Sequence, residues 1–353
     1  MILSLVNASS SSTFQDGAAN TLDWEFPPFS ALGNYVTDTF TIGDYAVQNQ
    51  VVGLSHNGSL FVNILGVGFQ LWEAGVATGK FRSYPTWLQN SVTQGHLESA
   101  TAGLWLNPNE GPSDGPDSFP SGSIVFGGLD TTLFEGDLVT FPVVNGSTLE
   151  VLNPGFNWIV PLTELHIGDA SKKGSTEMSA VTAPKGDGCI LDSGTAFNLY
   201  ANETFQNIVA AYPQAVLNAS TNFYEIPCDQ RFNVSNSWSH TISDPRDPRV
   251  NITIVVPAAE TIWTTDRLFP GGDPNTCSLA AGDFWTFLPA FVTEFRCVLG
   301  DSFMKNAYFV LDVDHSEISI ATATRDPSRH RNVVPIPKQG VRGMKDIASG
   351  GGW

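Results

Sequence analysis

Residues 189–195 read Cys189-Ile190-Leu191-Asp192-Ser193-Gly194-Thr195, an apolar run that empties into an acidic, glycine-containing turn. Glycine at that place lets the backbone turn tightly and brings N–H groups toward the carboxylate. Nearer the C-terminus a second apolar pair runs into glycine, Val298-Leu299-Gly300-Asp301. No second Asp-Ser/Thr-Gly triplet occurs in the 353 residues.

Around these segments the chain reads as short strands joined by turns. Residues 35–42 alternate apolar and polar, Gly43-Asp44 turns, and Val51-Val52-Gly53-Leu54 resumes, the pattern of half-buried strands. Residues 122–130 form a strand entering a turn, and residues 137–144 lead to Asn145-Gly146, a hairpin signal. Two helices are expected, over 84–97 with Pro85 near its start, and over 203–212 with Asn202 or Thr204 as cap. The pattern repeats in kind after Trp158, so the class is all-β with two halves that cross near 154–156.

Hydrophobic residues at 42% and charged residues at 15% exclude a disordered chain. A formal charge of −18 repels polyanions, which argues against nucleic acid or an anionic membrane surface as partner. No stretch reaches the roughly 20 apolar residues that span a bilayer. Seven Asn-x-Ser/Thr sequons, at Asn7, Asn57, Asn145, Asn202, Asn218, Asn233 and Asn251, favour the secretory route, extracellular or vacuolar. Met1–Val6 is too short for a signal-peptide core, so a missing beginning is expected.

Further landmarks are Ser11-Ser12-Thr13-Phe14, residues 33–39, Ile64-Leu65-Gly66-Val67-Gly68, and Gly127-Gly128-Leu129-Asp130. With 191–195 and 298–303 they stand in the order found in pepsin-like aspartic proteases, and the chain resembles the fungal secreted members of that family. The resemblance implies a bilobal acid-protease fold: an incomplete N-terminal lobe over 1–153, a C-terminal lobe over 154–324, and a polar tail over 325–353. It makes Asp192 one of two catalytic acids, supported by Ser193, Gly194, Thr195 and Gly300. One hydroxyl of the loop is expected to bond across the lobe interface and one to the Asp192 carboxylate. The implied substrate is an extended polypeptide in the interlobe cleft, with no metal and no cofactor, and a monomeric protein. It also implies a Cys228–Cys277 disulfide.

Two carboxylates held close enough to share a proton let one activate water while the other polarises the scissile carbonyl. The family places its first Asp-Thr-Gly before the Ser-Ser-Thr-Phe landmark, and this chain begins only ten residues earlier. The sequence reading is therefore an aspartic endopeptidase by family that carries only its second acid and is inactive as given. Its alternative is a non-catalytic extracellular peptide-binding relative in which Asp192 pins its own turn. Asp16 and Asp114 stand in loop contexts and do not replace the absent acid. Trp24-Glu25-Phe26-Pro27-Pro28-Phe29 stands where the family has a mobile hairpin with a tyrosine, and its two prolines disfavour a regular hairpin.

Four cysteines without Cys-x-x-Cys spacing argue against zinc. Cys189 and Cys297 fit either a second disulfide or two buried thiols, and spacing leaves both open. A serine hydrolase would need a Gly-x-Ser-x-Gly elbow, which is absent. His56, His240 and His315 are read as lying in polar turns.

Overall fold

The computed structural model describes the chain apart from residues 1, 4–9, 18–20, 27–28, 60–62, 78, 108–121, 153–154, 156, 170, 172–178, 182–186, 269–270, 288–296, 326–330 and 345–353. Among the described residues strands far outnumber helices. A first sheet runs in the order Ile2–Leu3, Tyr45–Gly58, Phe29–Ile42, Leu22–Phe26. Its centre is a long hairpin that closes at Gly43-Asp44, where the alternation of residues 35–42 ends.

The neighbouring hairpin, Leu22–Phe26 against the start of Phe29–Ile42, differs from the expectation. Its ladder runs down to Phe26 opposite Phe29. A proline weakens a hairpin by withholding an N–H from the ladder. The residues on either side of the two prolines nonetheless keep the ladder, and Pro27 and Pro28 themselves lie outside the described residues.

A five-stranded sheet takes strands from both sides of residue 153, in the order Gly122–Phe126, Thr101–Leu106, Ala307–Asp312, Glu317–Ala323, Phe134–Pro142. All of Ala307–Asp312 is buried, so this strand reads as a near-continuous apolar run rather than an alternation. One contiguous apolar cluster likewise joins Val36, Trp87 and Phe141 to Val160, Leu191 and Phe309. The core is therefore not divided where the two expected lobes meet.

An eight-stranded sheet carries the Asp192 segment. Its order is Asp247–Val256, Trp238–Asp244, Ile159–Ile167, Asp187–Leu191, Cys297–Leu299, Asn198–Tyr200, Ala281–Asp283, with Ser179–Val181 beside Ile159–Ile167. A smaller sheet pairs Val216–Asn218, Phe223–Ile226, Cys277–Leu279 and Ile262–Thr264.

The helices are shorter than the sequence implies. One spans Trp87–Thr93 and opens at Thr86, whose hydroxyl accepts from the Gln89 N–H while Gln89 accepts from the Thr86 N–H. The other spans Asn202–Ala210 and starts after Ala201, with no side-chain cap. Within the stretch expected to be a polar tail, Val333–Pro335 pairs with Gly128–Asp130, and Ile336 is fully buried. Arg331 and the Asn332 N–H both donate to the buried Asp130 carboxylate, which fastens the chain end to the body.

Candidate active site

Asp192 emerges at the end of Asp187–Leu191, a strand paired on one side with Ile159–Ile167 and on the other, in parallel, with Cys297–Leu299. The register sets Leu191 opposite Leu299, and the Asp192 N–H donates to the Leu299 carbonyl at 3.1 Å. Two apolar runs separated widely in sequence are thus laid side by side, and each ends at the same level. Residues 192 and 300 leave the sheet together.

The turn closes on the carboxylate. The Gly194 N–H donates to Asp192 Oδ1 at 2.8 Å, and the Thr195 hydroxyl donates to Oδ2 at 2.6 Å. A Cβ on Gly194 would stand 3.1 Å from that Oδ1, so a larger residue would crowd the oxygen the N–H serves. Both oxygens are held from the loop side while Asp192 stays half-buried. Of the two expected hydroxyl bonds, the one to the carboxylate is made by Thr195. Ser193 is exposed and makes no hydrogen bond among the described residues, because none of them brings a partner within reach; the expected bond across the lobe interface is absent there.

Gly300 fills a slot in which a side chain has no room. A Cβ there would lie 2.3 Å from the Thr195 carbonyl oxygen and 2.4 Å from that of Phe197. The following N–H groups bond to carbonyls of the same loop, Asp301 donating to Thr195 at 2.8 Å and Ser302 to Ala196 at 3.1 Å. The Gly300 N–H donates to Asn198 Oδ1 at 2.9 Å. Asn198 is fully buried, and sequence reasoning missed it. The only signal for it is indirect: a buried glycine N–H without a ladder partner demands a side-chain acceptor.

Asp301 was read only as part of the Gly300 landmark, yet it is the acid whose charge interacts with that of Asp192. Its carboxyl is raised to about 6, chiefly by burial and also by Asp192 and Glu260, against the opposing pull of Lys305 and Arg267. Behind it lies a compact charge cluster. Arg267 bonds Glu260 at 2.9 Å and lies 3.6 Å over the Trp263 ring, and Lys305 is buried. Opposite charges buried together offset part of their desolvation.

Both cysteine pairs are bonded, Cys189 to Cys297 and Cys228 to Cys277. The first links the two parallel strands three residues before Asp192 and Gly300, which resolves the choice that spacing left open. Among the described residues no group of three or more His, Cys, Asp or Glu side chains is placed to hold a metal ion. Asp16 is exposed in its loop, and Asp114 lies outside the described residues. Of the sequons, Asn57, Asn202, Asn233 and Asn251 are exposed and Asn145 and Asn218 half-buried, while Asn7 lies outside the described residues. His240, expected in a polar turn, lies fully buried in Trp238–Asp244, with Nε2 at 2.8 Å from the Tyr200 hydroxyl.

The structure thus presents the Asp192 carboxylate at a strand end, cradled by its own loop and locked by a glycine from a parallel strand. The family model for eukaryotic aspartyl protease matches residues 3–323. The chain belongs to the eukaryotic aspartyl protease family. It is 30% identical over 333 residues to a probable aspartic-type endopeptidase OPSB of Arthroderma otae, an alignment covering 94% of this chain and 63% of the relative. It is 26% identical over 297 residues to secreted aspartic protease 3 of Candida albicans, covering 83% and 60%. The chain thus spans about six-tenths of the length of these curated relatives. The crystal structure of an aspartic proteinase from Irpex lacteus superposes with a TM-score of 0.69 at 21% identity, covering 93% of this chain and 87% of that one, which establishes the pepsin-like fold.

Proposed function

We propose that this chain supplies the second acid half-site of an aspartic endopeptidase, with Asp192 as its carboxylate, and that these 353 residues by themselves do not hydrolyse peptide bonds. The observation that carries this is the single Asp-Ser-Gly triplet, set beside a reaction that needs two carboxylates sharing one proton. In support, Asp192 accepts from Gly194 and Thr195 and is only half-buried. A first Asp-Thr/Ser-Gly loop across the cleft would complete the centre. The Asp192 carboxylate would then either receive the water's proton or donate one to the carbonyl oxygen, and an extended polypeptide would lie between the lobes of residues 1–153 and 154–324.

The test is hydrolysis of an unfolded polypeptide by the purified chain between pH 3 and 7, beside an Asp192→Asn variant. No cleavage above the variant is expected. Cleavage that the variant abolishes would mean that a partner acid lies within these residues, and the proposal would fail.

A second reading, a non-catalytic peptide-binding relative, draws on the same missing triplet and on the loop bonds that give Asp192 a structural task. It requires peptide binding that survives Asp192→Ala. For location we propose the secretory route, supported by the seven sequons and by the secreted Candida albicans relative. Fractionation of the native host tests it; recovery from the cytosol would refute it. We take the chain to act as a monomer, which a solution mass near 38.0 kDa before any glycan would support.

A further inference from the structure

The most exposed large apolar side chain among the described residues is Phe232, at 82%, and Val234 two residues on is 61% exposed. Between them stands Asn233, the first residue of the sequon Asn233-Val234-Ser235. An aromatic ring left in water on a turn is an aggregation liability unless something covers it. The residue it flanks is the one that can carry a cover.

The sequons are not equivalent. Asn145 is half-buried, with Oδ1 accepting from the Ser147 N–H and hydroxyl and from the Thr148 N–H. Asn218 is half-buried with Nδ2 donating to Glu225 at 2.7 Å, and Asn251 donates to the Pro248 carbonyl at 2.9 Å. Asn233 is exposed, its Oδ1 accepts from the Ser235 N–H at 3.0 Å, and its Nδ2 makes no hydrogen bond among the described residues. That side chain is oriented by its oxygen and free at its nitrogen. Asn57 and Asn202 are exposed too, but Asn202 stands beside the exposed Glu203, and Asn57 lies opposite Leu32, which at 38% is far less exposed than Phe232.

We propose that Asn233 is an N-glycosylation site whose sugar lies over Phe232 and Val234 and shields them from water. In the transfer, the Nδ2 of Asn233 forms a bond to the anomeric carbon of a lipid-diphosphate-linked oligosaccharide. The bond from that carbon to the diphosphate oxygen breaks, the lipid diphosphate leaves, and the amide gives up one proton. The apolar face of the first N-acetylglucosamine then stacks on the ring, as flat apolar faces do on aromatic side chains. The glycan supplies bulk and solubility at a place where the chain itself supplies neither.

The inference rests on the secretory reading, so the experiment separates the two. The full chain is expressed behind a heterologous secretion leader in a fungal host, which forces passage through the glycosylating compartment whatever the native location. Peptide mass mapping should find Asn233 occupied. An unmodified Asn233 peptide, with or without sugar at the other sequons, overturns the inference and leaves the native location to fractionation. Shielding is read by fluorescence of an anilinonaphthalene sulfonate dye. Asn233→Gln should raise it several-fold, Phe232→Ser added to Asn233→Gln should return it to the parent level, and Asn202→Gln should leave it unchanged. Should Asn233→Gln not be secreted, enzymatic removal of the glycans from the folded parent protein gives the same comparison. Equal dye binding with and without the Asn233 sugar overturns the shielding.

Discussion

At the scale of single residues, Asp301 and His240 take up protons in opposite senses when the chain folds. Burial, opposed by Lys305 and Arg267 and reinforced by Asp192 and Glu260, raises the Asp301 carboxyl from 3.8 to about 6. Between those values the folded chain holds a proton that the unfolded chain has lost, so stability falls as pH rises. Burial lowers His240 from 6.5 to about 3. Over that range the unfolded chain holds a proton that the folded chain refuses, so stability is full above the unfolded value and falls as pH drops. Each slope is about 1.4 kcal/mol per pH unit at most, and the two cancel between roughly pH 4 and 6. This pair should therefore add little net slope to the urea midpoint in that window. Asp301→Asn should make the midpoint rise with pH, and His240→Phe should make it fall, beyond a pH-independent loss of about 1–3 kcal/mol for the orphaned Tyr200 hydroxyl. An unchanged slope in either variant refutes the assignment for that residue. Asp192 and Gly300 were legible because each stands in a short local pattern. His240 was not: its neighbours Ser239 and Thr241 look like a turn, but every residue of Trp238–Asp244 is buried, and a strand covered on both faces shows no alternation.

Among the elements, the parallel pair Asp187–Leu191 and Cys297–Leu299 decides whether the acid loop keeps its shape. Gly300→Ala must push its Cβ into two carbonyl oxygens and should destabilise by about 1–3 kcal/mol as an overpacked site does. Asn198→Leu leaves the Gly300 N–H buried without an acceptor and should cost about 1–3 kcal/mol. Denaturant midpoints check both, and a loss below 0.5 kcal/mol, about the level of a neutral surface change, would show that the loop does not depend on this contact. The disulfides offer a comparison in kind. Cys189–Cys297 closes a separation of 108 residues and Cys228–Cys277 one of 49, so loop-closure entropy makes the first worth about 0.7 kcal/mol more. Replacing each pair by alanines should give that order, and the reverse order would show that packing around the sulfurs outweighs chain entropy. The apolar runs at 189–191 and 298–299 announced strands, but nothing local announces that they pair with each other. The hairpin around Pro27-Pro28 was misjudged for a similar reason, because proline's effect depends on a register that composition does not contain.

For the whole molecule, the five-stranded sheet makes the two expected lobes interdependent. Residues 154–324 expressed alone would leave Ala307–Asp312 without Thr101–Leu106 and Glu317–Ala323 without Phe134–Pro142. That fragment should bind hydrophobic dye and lack a cooperative thermal transition; a sharp two-state melt would contradict the shared core. The all-β class was legible in the turns and alternations, whereas the sharing was not, since long-range pairing leaves no mark on either strand. The same pairing sets a clock on synthesis. At about 5–20 residues per second, roughly 10–40 s pass between the emergence of residue 101 and that of residue 307. Through that interval one strand edge waits open, a time in which a chaperone has a use and a neighbouring nascent chain is a hazard. The Asp192 loop waits as well, because the glycine that locks it is made 108 residues after the acid. Until that glycine emerges, the acid has no fixed address.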